Sequence, residues 1–310
     1  MPSPKKEVAL IVLFNHRYDK NFDTIEKIYA GRFSHIYHLV PFYNGSKENV
    51  IPVYGRSIFF QGYIAQGLNV FFNNKFKHYF FVADDMILNP AITENNYQSF
   101  FKLDDDQSFI PELIPFHTRT GFWIGTLSAY YYKLKQKYVE VTREVPSIDD
   151  AKRKLLAQGI EIAPMTRRQL FGRVTLFPKT LGEKSSTLAR LYTRLRHPFK
   201  REFHLPYPLV GSYSDIAIVS ADSIKEFCHY CGVFAATLLF AEVATPTALV
   251  LATNKKIVTE KDLEHQGRAL WAVEGDIGYL EKNFTSLHDI LTHFPTQYIY
   301  LHPVKLSKWK

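Results

Sequence analysis

HYFFVADDMILNP (78–90) decides the fold: the apolar run FFVA ends abruptly in two adjacent carboxylates, Asp84 and Asp85. So short and apolar a run suits a strand covered on both faces, and acid directly after it belongs at a sheet edge. Upstream, EVALIVLFN (7–15) is a second run of this kind, and FDTIEKIYAGRF (22–33) sets Phe22, Ile25, Ile28 and Tyr29 at helical spacing. SHIYHLVPFY (34–43) and NVIPVYG (49–55) are two further strands, and IFFQGYIAQGLNVFFNNKF (58–76) is a helix before the fourth strand. Repeated strand and helix predict an α/β fold with a mixed, mostly parallel central sheet and flanking helices.

Composition narrows the class. The 310 residues are 46% hydrophobic and 22% charged, which excludes a disordered tail or a fibre. Two cysteines exclude a disulfide framework, and MPSPKKEVALIVLF lacks the long apolar core of a secretory signal, so a cytoplasmic location is expected. VFAATLLFAEVATPTALVLA (233–252) has the length of a membrane span, but Glu242 and Pro246 near its middle predict a buried helix and the segment after it. The net charge of +8 is local: thirteen Lys/Arg between Lys152 and Arg201 face only Glu161 and Glu183, leaving +11 there and −3 elsewhere. The stretch reads as a basic, partly helical insertion that docks an anionic membrane surface or acceptor, and no nucleic-acid partner is expected. The expected organisation is an α/β nucleotide-sugar half over 1–135, the basic insertion over 136–205, and over 206–310 an acceptor-side half completing one catalytic domain. Within that last part, Ser223 to Glu226 reads as a capping box opening a helix.

Several residue groups carry chemistry. In open α/β sheets ligands bind at the carboxyl edge, where Asp84 and Asp85 lie. Neighbours on an extended strand point to opposite sides, so one acid can face a hard ion such as Mg²⁺ or Mn²⁺ while the other meets a ribose. LFNHRYDK (13–20) ends the first strand without a GxGxxG fingerprint. Tyr54, Gly55 and Arg56 end the third strand on the same edge, with Arg56 suited to a diphosphate. Glu242, in LLFAEVATPT, has apolar neighbours that raise a carboxyl pKa toward the range of a general base, with Asp215 in YSDIAIV as the competing base. Cys228 and Cys231 read as buried, inert thiols, and Trp271 as a core indole with stacking on a sugar as its alternative.

These residues resemble nucleotide-sugar glycosyltransferases of the GT-A fold, whose fourth strand ends in a DxD-type acidic motif. YLHPVKLSKW (300–309) is similar to the closing segment of bacterial and viral polysaccharide glycosyltransferases of the lipopolysaccharide or capsule type, and GSYSDIAIVSADSIKEFCHYCGVFAATLLFAEVATPTAL (211–249) to their acceptor side. The resemblance implies that Asp85 and His302 hold Mn²⁺ or Mg²⁺ and that Asp84 contacts the ribose or the metal. It also places Phe14, Asn15, His16 and Arg17 against the nucleobase; Lys305 and Lys308, close to His302 in the sequence, could replace part of the metal's charge by direct phosphate contact. Ala83 stands where many members carry the first acid, so the metal site would have fewer ligands than usual. The implied function is transfer of a sugar from a nucleotide-diphosphate donor, a UDP-sugar by expectation, to a glycan or lipid-linked acceptor in cell-surface polysaccharide synthesis. Inversion at the anomeric carbon and work at the inner membrane face are expected. The alternatives are a nucleotidyltransferase acting on a sugar phosphate and a basic nucleic-acid-binding protein without catalysis.

Overall fold

A computed structural model describes residues 7–119, 123–171, 191–192, 195, 198–270 and 278–309. In chain order the first half comprises β1 (Glu7–Leu13), α1 (Phe22–Tyr29), β2 (His35–Pro41), β3 (Val50–Val53), α2 (Gln61–Phe71), β4 (Phe76–Ala83), β5 (Ile87–Leu88), α3 (Tyr97–Phe101) and α4 (Ile124–Tyr131). Next come α5 (Ile148–Ala157), β6 (Met165–Thr166), α6 (Arg167–Phe171), β7 (Glu202–Phe203), β8 (Ile216–Ser220), α7 (Ile224–Ala236) and α8 (Ala241–Ala252). The chain closes with β9 (Gln266–Ala269), α9 (Tyr279–Asn283), α10 (Leu287–Thr292) and β10 (Tyr298–His302).

The central sheet runs β3-β2-β1-β4-β8, with the first four strands parallel and β8 antiparallel to β4. β1 explains why a continuous apolar run was needed. Ala9, Ile11 and Leu13 enter a core that holds α2, α7 and α8, while Val8, Leu10 and Val12 enter a second core with α1, α3 and the C-terminal strand on the other face. Phe81 and Val82 of β4 divide in the same way. The second sheet, β5-β10-β9, pairs the residues just past the acidic pair with the end of the chain.

The apolar stretch 233–252 is two helices, not one. Residues 237–240 interrupt it, with Leu238 in the left-handed region at φ 58°, and all of α8 except Glu242 is buried. Among the described residues no helix is long and apolar enough to cross a membrane. Cys228 and Cys231 are buried free thiols in α7, and burial pushes both thiols up. The expected capping box does not form. Ser223 adopts helical backbone angles (φ −99°, ψ −16°), which turn its hydroxyl away from the first amides, and it accepts from Ser220 at 3.2 Å instead.

The stretch 136–205 is anchored in the main body. Ala151 and Leu155 of α5, and Leu170 and Phe171 of α6, share the core with α7 and α8. Six of the thirteen Lys/Arg of its basic run, and Trp271, lie outside the described residues.

Candidate functional site

β1 and β4 end side by side, and the next turns form the floor of a cleft of about 500 Å³. Its lining includes Asn15, His16, Asp84, Asp85, Glu242 and Lys305. Asp84 and Asp85 come after the last residue of β4 and occupy a turn, so the strand alternation expected for them does not apply and both carboxylates line the same cleft. The turn is pinned on two sides: the Asp84 amide donates to the Leu13 carbonyl at 2.9 Å, and the Val304 amide donates to the Asp85 carbonyl at 2.6 Å. The Asn15 amide also reaches the Asp84 carboxylate at 3.5 Å.

His302, the last residue of β10, is 2% exposed and sits behind the acids. Its Nε2 lies 2.7 Å from Asp85 Oδ1, and its Nδ1 hydrogen-bonds the Tyr213 hydroxyl and lies 3.8 Å from Asp215 Oδ2. Burial and the neighbouring Asp85 charge push the Asp84 carboxyl up to about 7. Burial also raises Asp215, with His302 pulling the other way. Carboxylate oxygens are donors that suit Mn²⁺ or Mg²⁺, whereas an imidazole nitrogen suits softer ions. Among the described residues no group of three His, Cys, Asp or Glu side chains is arranged for a metal, and both ring nitrogens of His302 are already engaged, Nε2 by Asp85 and Nδ1 by Tyr213, so His302 orients Asp85 from behind the cleft.

Glu242 enters the cleft from the first turn of α8, and Pro246 helps to place it. Proline has no N–H to donate four residues back, so the Glu242 carbonyl is left for a partner outside the helix and accepts the Ser212 amide at 2.9 Å. The carboxylate Oε2 accepts the Trp123 indole N–H at 2.9 Å. That indole is itself held, stacked on Phe116 with ring centres 5.8 Å apart, with the Arg119 guanidinium 4.4 Å over its face. A Cβ at Gly125 or Gly211 would stand 2.5 Å or 2.7 Å from the ring, so only glycine leaves room for it. Burial, with the Asp215 charge adding, raises the Glu242 carboxyl to about 7, and the Trp123 hydrogen bond opposes this.

Not every expected residue reaches the cleft. Phe14 is fully buried, edge-on to Phe22 and His38 in the second core, because it continues the inward-facing set of β1. It is a packing residue and not a base contact. Arg17 turns away to pair with Asp19 at 2.8 Å and to donate to the Phe42 carbonyl. Tyr54 is edge-on to Phe42, Arg56 lies over the Phe59 ring, and neither lines the cleft; nor does Lys308. Asp215 stands behind His302 and does not line it. In their place come Tyr18, Asn21, Ser57 and Phe240, whose spacing in the sequence carries no signal of a shared site. Trp123 and Tyr213, which hold Glu242 and His302, were equally silent, since a lone aromatic reads as core.

No protein-family model matches the chain, and no curated protein matches it.

Proposed function

We propose that the chain is a glycosyltransferase that takes a sugar from a nucleotide-diphosphate donor and passes it, with inversion, to a hydroxyl of a glycan or lipid-linked acceptor. One observation carries the reading: a single cleft at the carboxyl edge of a parallel sheet is lined by an acidic pair, by Lys305 and by a half-buried carboxylate with a pKa near 7. A general base titrating near neutral pH suits removal of a proton from an alcohol.

In this reading Glu242 accepts the acceptor proton as the acceptor oxygen bonds the anomeric carbon and the bond from that carbon to the diphosphate breaks. Trp123 fixes which Glu242 oxygen is free to do so. Lys305 meets the charge that collects on the leaving diphosphate, and Asn15 and His16 offer polar groups to the nucleoside. Mn²⁺ or Mg²⁺ would meet the Asp85 carboxylate, oriented by His302, and would offset diphosphate charge.

The test is a thermal-shift panel of UDP-, GDP-, CMP- and dTDP-sugars with and without Mn²⁺. One nucleotide class should raise the melting temperature, and the same donor should turn over with the native chain but not with Glu242→Gln, which keeps the shift. Silence from every nucleotide, or near-normal turnover by Glu242→Gln, would overturn the reading.

A further inference from the structure

Beside the cleft, the end of α4 and the loop after it meet the turn between α7 and α8. Tyr132 and Thr237 share a hydroxyl hydrogen bond of 3.1 Å, and Gln136 Nε2 donates to the Thr237 carbonyl at 2.6 Å. Together they form an open groove of about 540 Å³ lined by Tyr131, Lys133, Lys135, Lys137 and Leu238. Three features set this surface apart. Large apolar side chains stand in water: Tyr138 is 90% exposed, Leu238 56% and Tyr131 49%. Tyr138 and Leu238 both hold left-handed backbone, φ 67° and 58°, a conformation disfavoured for such side chains. Lys133, Lys135 and Lys137 form no ion pair among the described residues; Lys137 lies 4.8 Å over the Tyr138 ring, and the nearby acids Glu140 and Glu144 line an adjoining hollow together with Lys135 and Arg143.

We propose that this surface docks on an anionic lipid bilayer, the lysines meeting headgroup phosphates and the Tyr138 and Leu238 tips entering the boundary between headgroups and acyl chains. Paired lysine and apolar tips are what an interface with one charged and one oily layer selects. A partner that offers phosphate alone, such as RNA, has no use for Leu238. Position fits as well: Phe240, two residues beyond Leu238, lines the cleft, so docking here would set the cleft mouth at the bilayer. That last consequence rests on the transferase reading, whereas the binding does not.

The full chain is sedimented with vesicles made of equal parts phosphatidylcholine and phosphatidylglycerol, and with phosphatidylcholine alone, at low and high salt. Binding should require phosphatidylglycerol and weaken with salt. Lys133→Glu combined with Lys135→Glu and Lys137→Glu should weaken it about 100-fold, at about fivefold or more per lysine near an anionic surface. Tyr138→Asn with Leu238→Asn should weaken it about tenfold while the melting temperature holds or rises, because asparagine tolerates left-handed backbone. No preference for the anionic vesicles, full binding by the lysine variant, or full binding by the asparagine variant each overturns the proposal, as does binding of generic RNA without binding of vesicles. These readouts involve no turnover, so they stand apart from the outcome of the nucleotide panel.

Discussion

Three neighbours place Glu242, while burial and the Asp215 charge raise its pKa: Pro246 frees its carbonyl, Ser212 takes that carbonyl, and Trp123 holds one carboxylate oxygen. A base with a pKa near 7 must be ionised to act, so kcat/KM should rise tenfold per pH unit below about 7 and level off above it. The pH–rate profile reads this directly. Stability runs the opposite way: the folded pKa lies above the unfolded value, so favourable burial of the neutral acid is present below about pH 4.5 and lost as pH rises through about 7. Glu242→Gln should therefore raise stability by about 2 kcal/mol at pH 8 and not at pH 4, as urea titrations at the two pH values would show. The lysines of the closing segment separate by position. Lys305 lines the cleft and Lys308 does not, so Lys305→Ala should weaken nucleotide-diphosphate binding about tenfold by calorimetry and Lys308→Ala by far less.

Elements bring these residues together by unusually close approach. α2 and α7 cross where Gly62 faces Ala235 and Gly232 faces Ala65, and a Cβ on Gly62 would stand 2.8 Å from that of Ala235. Gly62→Val should cost about 2 kcal/mol by forcing the helices apart, measured as a lower midpoint in urea. The same economy holds Trp123: its indole lies where Gly125 and Gly211 have no side chain. Gly211→Ala should move the indole and lower kcat at least tenfold, with KM for the donor little changed. The apolar residues that marked α2 as a helix in the sequence said nothing of these contacts, because a glycine reads as a helix breaker or a turn until its neighbour across the interface is known.

Across the whole molecule, β1 is shared by both cores, so damage to one face should be felt on both. Leu10→Ala, at a fully buried position, should cost about 3 kcal/mol and shift the circular dichroism and tryptophan fluorescence transitions together, although Trp123 lies against one core and Trp309 in the other. The mixed α/β order, the mostly parallel sheet and the acid at its edge were legible in the sequence by itself, because a strand buried on both faces must be apolar at every position and the first polar residue marks where it leaves the sheet. The partners of that acid were not. Phe14 reads as part of a polar turn until the alternation of β1 carries it inward, and the break within 233–252 shows only where Leu238 turns the chain. His302 and Asp85 stand 217 positions apart and meet only because β5 pairs with β10. Local pattern therefore determined the elements, while the tertiary structure decided which side chains share the cleft, since burial, pKa and hydrogen-bond partners depend on neighbours distant in the chain.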